Sequence, residues 1–337
     1  MSAAVQQRSY LLGFVLLLAA AGLLLLGAGV GSTGFDSVLQ AHRDPVAWQI
    51  IWDIRLPRTL GAWVAGGLLG LAGAVAQGLF RNALADPYLL GSASGAALGV
   101  AVALALFGAS PFATSFLVRM GLTGAAFAGA VGGVLLTLLL ANGVLHTLRL
   151  LLAGVIVGVV LGAARDLVTL AVPDILQAMQ AFMLGSTGFV GWSSCAVMVA
   201  VLLPTVAVAW SLGRVLDGLA LGEATAASLG LPLAAVRAAL VGVLALATGA
   251  AVAQTGLIAF VGLAAPHLVR SIVKTTHARL VVLSALMGGL LLMAADVLAR
   301  WVIAPQELPV GVLTAVLGGS YLLWLMHRRT ARGGGLL

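Results

Sequence analysis

The sequence predicts an all-α polytopic membrane protein of about ten spans, and three observations carry that prediction. Of the 337 residues, 62% are hydrophobic and 8% charged, with a mean hydropathy of +1.16. A soluble domain carries about 25% charged residues. The apolar residues stand in continuous runs of about twenty, the length a helix needs to cross a bilayer, whereas a β-barrel shows short alternating segments. The one cysteine, Cys195, leaves no internal disulfide and no cysteine metal cluster. Residues 1–337 therefore read as a single transmembrane domain with short tails at about 1–9 and 328–337.

Taken in order, the runs fall at roughly 10–30, 57–79, 89–108, 115–141, 149–171, 193–212, 233–253, 256–271, 279–300 and 309–327. The first is too long for the core of a signal peptide and reads as a retained helix. Ten spans put both termini on one side, and the positive-inside bias makes that side the cytoplasm. Arg8, Arg81, Arg149, Arg214, Arg237, Arg270, Lys274, Arg279, Arg328, Arg329 and Arg332 then fall inside. Arg43, Arg55, Arg58, Arg119 and Arg300 fall outside. Arg55, Arg58 and Arg300 each stand at the outer end of a helix. Snorkelling at the interface is one reading of them, and charge bias alone does not decide for or against it.

Small residues recur at four-residue spacing, as Gly66/Gly70, Gly91/Gly95/Gly99, Gly129/Gly133 and Gly154/Gly158/Gly162. Such faces let helix backbones approach closely in lipid, which predicts a tightly packed bundle. The inner connection over 213–232 has a helical composition from Leu216 to Leu229, ended by Gly230 and Pro232. Its polar positions are Asp217 and Glu223 rather than Lys and Arg, which favours a protein partner over a lipid surface. The outer connection from Ala171 to Trp192 is too polar for a span and too long for a tight turn, so it is expected to carry a short helix or a re-entrant packing element. The eighth run ends in Pro266-His267; a lone His there is expected to be structural rather than a ligand.

Several chemistries have no residues to carry them. The only lysine, Lys274, follows Val273, so no phosphate-binding G-x-x-x-x-G-K-[ST] loop is present. No H-E-x-x-H or other metal-ligand spacing occurs, and no catalytic set stands out. The net charge of +7 is read through the membrane rather than as a nucleic-acid footprint. Within the spans the ionisable residues are Arg165 with Asp166, and Asp296 with Arg300 one turn on. An intramembrane charge is a functional candidate, and a pair spaced i,i+4 is also a structural one. The residues thus describe a membrane subunit with no energy-converting site of its own, needing partners on both faces.

Six stretches carry a family resemblance: RLPRTL at 55–60, GAVAQGLFRNALADPYLLG at 73–91, LRLLLAG at 148–154, LGEATAASLG at 221–230, GLIAFVGLAAPHLVR at 256–270 and ELPVGVLTAVLGGSYLLWLM at 307–326. Together they resemble the FecCD-type permeases, the membrane subunits of type II ABC importers for ferric siderophores, haem and cobalamin. The resemblance implies a ten-helix subunit of a bacterial inner membrane that pairs with a second permease copy. It implies two ATPase subunits on the cytoplasmic face, which hold the ATP and Mg, and a substrate-binding protein outside; this chain itself binds no cofactor. By the same resemblance Arg55, Arg58 and Arg300 meet acidic residues of the binding protein. Leu216, Asp217, Leu221, Gly222, Glu223, Ala226, Ser228, Leu229 and Gly230 belong to the segment that couples to the ATPase. Asn82 and Leu84 match one part of the cytoplasmic gate, and Thr147 and Leu148 the other. Ala83 stands where the family commonly has proline. The expected function is import of an iron chelate by alternating access. Cobalamin is the alternative cargo, and an ion-coupled carrier using Arg165, Asp166 or Asp296 is the alternative mechanism.

Overall fold

The computed structural model describes residues 3–31, 34–35, 44–108, 116–144, 146–228 and 230–331. Their regular secondary structure is helical apart from a two-residue antiparallel pairing of Val30–Gly31 with Gly34–Phe35. The helices are α1 (Ala3–Gly29), α2 (Pro45–Ile50), α3 (Leu56–Leu79), α4 (Ser92–Phe107), α5 (Phe116–Leu140), α6 (Thr147–Ala171) and α7 (Leu176–Leu184). They continue with α8 (Trp192–Ser211), α9 (Gly213–Ala220), α10 (Glu223–Ser228), α11 (Leu233–Thr255), α12 (Val261–Ile272), α13 (His277–Trp301) and α14 (Val310–Ala331).

Among the described residues, seven helical stretches are long and apolar enough to cross a membrane: those in 6–29, 45–79, 120–140, 147–171, 192–211, 233–255 and 277–301. Of the other three expected spans, Ser92–Phe107 is 16 residues long, whereas α14 runs for 22 residues. The eighth run is helical only over the 12 residues of α12, about 18 Å of rise, against a hydrocarbon core about 30 Å thick. The reason is local. Gly256 and Phe260 both take left-handed backbone angles, φ +68° each, so residues 256–260 leave the helix. Their polar groups are satisfied by other segments: Leu257 N–H donates to Phe182 C=O at 3.2 Å, and Tyr88 Oη donates to Ile258 C=O at 3.2 Å. Non-helical backbone at membrane depth is tolerated where it is buried in protein in this way.

The bundle is organised around α3. In the span containing it, 89% of the most apolar window is buried, against 22% for α1 and for α6. A helix apolar on every side belongs in the middle, and its small residues are what permit close neighbours. α13 runs antiparallel to α3 and lies against its backbone. A Cβ at Gly66 or Gly70 would collide with the carbonyl oxygens of Gly288 and Ser284, and one at Gly73 with that of Gly262 at the start of α12. α4 and α5 approach in the same manner, Gly95 against Gly129 and Gly99 against Ala125. Gly154 meets the backbone of Leu89, whereas Gly162 has open space around it. The glycine spacing is thus packing for most positions, and the last has no neighbour among the described residues.

Between α6 and α8, residues 173–175 form a 3-10 turn that leads into α7, the short helix the polar connection predicts. The inner connection differs from expectation. It is two helices, α9 and α10, because Gly222 takes φ +112° and breaks the run.

Candidate functional site

The two ends of the α3–α13 pair each carry a cluster centred on one carboxylate. The first is set up by a feature the sequence did not announce. Residues 51–55 form a π-helical turn, with Leu56 N–H bonded to Ile51 C=O, directly before Pro57. Proline has no N–H to give and its ring crowds the carbonyl four residues back; the wider turn relieves that crowding and delivers Arg55 and Arg58 into the bundle. Both are 8% exposed, and Arg300 is 1% exposed.

Asp296, fully buried on α13, collects the charges. Its Oδ1 accepts from Arg58 Nε at 3.0 Å and Thr187 Oγ1 at 2.5 Å, and its Oδ2 pairs with Arg300 Nη2. Arg300 also donates to Thr59 Oγ1 at 2.8 Å and Gly27 C=O at 2.9 Å, while Arg55 Nη1 reaches Gly29 C=O at 3.2 Å. The last carbonyls of α1, which have no partner within their own helix, are thereby satisfied by cations at the end where the helix dipole favours them. At the rim, Arg58 Nη1 meets Glu307 Oε2 at 2.7 Å, and that glutamate side chain is 34% exposed. The three arginines expected to point outward therefore turn inward, into a network internal to the chain. Two cations in so dry a place need a counter-charge, and Asp296 supplies it.

The second cluster forms along the α9–α10 segment, where α9 presses on the other end of the pair. Leu216 and Leu219 are buried, and Gly213 lies against the backbone of Ala278. Asp217 Oδ1 accepts from the N–H of His277 at 3.0 Å and lies 2.6 Å from its Nδ1. The first free N–H of α13 thus finds its cap on another element. Five residues on, Gly222 frees the chain to turn, and Glu223 faces three donors. Its Oε1 accepts from Arg237 Nη2 at 2.5 Å and Thr147 Oγ1 at 3.0 Å, with Arg81 Nη2 at 3.9 Å. Burial raises the Glu223 pKa, but the hydrogen bonds from Arg237 and Thr147 and the charges of Arg237 and Arg81 outweigh it, holding the carboxyl below its ordinary 4.5.

The residues expected to form the gate fall near this cluster. Arg81 takes φ +49°, and Asn82 Oδ1 accepts the N–H of Leu84 at 2.9 Å, closing a turn in which Asn82 and Leu84 are exposed. Thr147 opens α6 and is half-buried, with Leu148 exposed beside it. The residues expected to couple divide by face. Leu216 and Ala226 are buried; Asp217, Gly222 and Glu223 are intermediate; Leu221, Ser228 and Gly230 are exposed. Leu229 lies outside the described residues, as does Arg43. Arg165 pairs with its neighbour Asp166 at 2.5 Å, apart from both clusters. No group of three His, Cys, Asp or Glu among the described residues is placed to hold a metal.

Sequence reasoning missed Glu307, Thr187, Thr59, Arg237 and His277. One signal was available for Glu307: the chain has only two glutamates, Glu223 and Glu307, and each proves to be an ion-pair partner.

Comparisons with known proteins agree with this architecture. The profile of the FecCD transport family matches residues 16–328. The hemin transport system permease protein HmuU of Yersinia pestis is 38% identical over 99% of this chain and all of its own. The vitamin B12 import system permease protein BtuC of Salmonella paratyphi A is 40% identical over 94% of both. A solved structure described as an inward-facing conformation of a metal-chelate type ABC transporter superposes with a TM-score of 0.83 at 28% identity, covering 94% of this chain and 98% of that one. PsaBC from Streptococcus pneumoniae, solved in complex with Fab, shares the fold at a TM-score of 0.54 and 18% identity, over 80% of this chain and 89% of its own. A multi-pass helical bundle that matches this family along nearly its whole length is a member of it: the chain belongs to the FecCD transport family, with the fold of an ABC importer permease.

Proposed function

We propose that the chain is the membrane-spanning subunit of an ATP-driven importer in a bacterial inner membrane. It passes an iron chelate, haem or a ferric siderophore, from a docked binding protein to the cytoplasm by alternating access. The observation that carries this reading is the α3–α13 pair, held by backbone contact, which bears a charged cluster at one end and packs at the other against α9, the helix leading into the Glu223 segment. On this reading the two helices of the pair are two of ten crossings and both termini are cytoplasmic. The Glu223 end faces two separate ATPase subunits, which hold the ATP and Mg. Leu221, Ser228 and Gly230 are the exposed positions open to them. Asn82, Leu84, Thr147 and Leu148 gate the pathway between this subunit and a second, identical copy.

Docking of the binding protein is assigned to the Arg55, Arg58 and Arg300 end. These guanidinium groups are engaged within the chain, so contact has to begin at the rim, where Glu307 gives up Arg58 to an acidic group of the partner. Charge pairs of this kind steer and orient association. Haem is placed first among cargoes because the hemin permease aligns over its full length. Cobalamin stands second, favoured by the slightly higher identity to the vitamin B12 permease. An ion-coupled carrier has less to work with: Asp296 already holds two arginines.

The test is uptake by sealed vesicles containing this chain with its ATPase and binding protein, offered haem, a ferric siderophore or cobalamin in turn. Uptake of one cargo that requires ATP and the binding protein is expected. Uptake driven by an ion gradient without the ATPase would overturn the reading.

A further inference from the structure

Three segments far apart in the chain meet at one carboxylate oxygen. Glu223 stands at the start of α10, Thr147 at the start of α6, and Arg81 in the turn after α3. The fourth member, Arg237, is on α11 and is unlike the other two donors. Its side chain is 3% exposed and it meets Glu223 at 2.5 Å, whereas Arg81 is 45% exposed and 3.9 Å away, and Thr147 offers a neutral hydroxyl at 3.0 Å. One partner is thus a strong, desolvated anchor and two are weak arms. Charge-assisted bonds are about twice as strong as neutral ones, and exposed pairs contribute little.

We propose that Glu223 is a latch that ties both inner loops, 81–84 and 146–148, to the segment 222–228, so that the loops move when that segment moves and stay shut when it does not. This deepens the importer reading above and rests on it for its meaning in transport. The anchor keeps the carboxylate in place while either arm lets go, which is what a reversible tie requires. A carboxylate suits the place because it only accepts, and here one oxygen faces three donors. Glutamine in its place keeps the size and loses the charge that holds Arg237 and attracts Arg81.

The tie is testable on the purified chain in lipid nanodiscs by amide hydrogen exchange. Glu223→Gln is expected to raise exchange in 146–153 between about twofold and tenfold, the range one hydrogen bond supplies, and together with it in 81–89 by a smaller factor, up to about fivefold, the range of an exposed ion pair. Thr147→Val is expected to raise it in 146–153 alone, and Thr147→Ser to restore it. A rise confined to 222–230, or no rise, overturns the latch. If Glu223→Gln does not fold, the Thr147 pair decides by itself. In the full assembly, Glu223→Gln and Thr147→Val should each raise the ATP spent per cargo molecule, and the double variant should be no worse than Glu223→Gln. Additive losses would mean two independent roles and would overturn the proposal. ATP-dependent uptake with an unchanged exchange pattern sinks the latch alone. The expected exchange pattern without ATP-dependent uptake sinks the importer reading alone.

Discussion

The Asp296 and Glu223 clusters use the same components, a carboxylate, arginines and a threonine, and differ in water. Asp296 has no exposed side-chain surface, and its partners Arg58 and Arg300 are 10% and 1% exposed. Glu223 is 40% exposed and keeps only one buried partner. Charges removed from water on every side stay together, because separating them strands a charge in a dry place. Charges left half in water exchange partners at little cost. The first cluster therefore fixes the ends of α1, α3 and α13, and the second is suited to opening and closing.

The contrast breaks first at Asp296. Asp296→Ala leaves Arg58 and Arg300 buried without a counter-charge and should cost about 3–5 kcal/mol, read as a large drop in the melting temperature of the purified chain. A small drop would mean that water reaches the site. For the same reason Arg58→Glu, which sets a third carboxylate beside Asp296 and Glu307, is expected to unfold the chain rather than report on docking.

Next in size is the helix pair. Gly70→Val forces a side chain into the backbone of Ser284 and should cost at least about 1–3 kcal/mol. Gly162→Ala, in open space, should cost nothing measurable in the same melt. Equal losses would show that the backbone contact is not what holds the centre.

A smaller effect separates the clusters by pH. The folded pKa of Glu223 is lowered, so its contribution is present above the ordinary 4.5 and is lost as pH falls through the lower folded value. Infrared titration with the Glu223→Gln spectrum subtracted should place the carboxylate midpoint below 4.5. A midpoint at or above it would mean that Arg237 and Thr147 do not hold the charged form.

The smallest expected change sharpens the rim assignment. Glu307→Gln frees Arg58 and should strengthen docking of the binding protein at low salt, with the gain fading at high salt. Weaker docking, or a gain indifferent to salt, would end the exchange account.

Hydropathy located the long helices because a bilayer imposes one length on them, and it failed where the structure leaves that rule. Residues 256–260 are as apolar as a span, but Gly256 and Phe260 turn them out of the helix, and their backbone is satisfied by segments that a linear reading cannot see. The π turn before Pro57 is invisible for the same reason. Arg55, Arg58 and Arg300 were legible as unusual, since each is a cation at the end of an apolar run. Their burial was not, because Arg58 lies 238 residues from Asp296 and 249 from Glu307 in the chain. Glu223 and Asn82 were legible within family motifs and Thr147 only as the residue before one; that Glu223 and Thr147 touch was a property of the fold.

The contact between α3 and α13 also sets an order of events in synthesis. α3 ends at Leu79 and α13 begins at His277. At about 5–20 residues per second, a ribosome needs roughly 10–40 s to make the stretch between them. For that interval the glycine face of the central helix is in the membrane without the surface it was shaped to meet. Whatever shelters Gly66 and Gly70 from wrong neighbours while the rest of the chain is made is as much a requirement of this fold as the final contact.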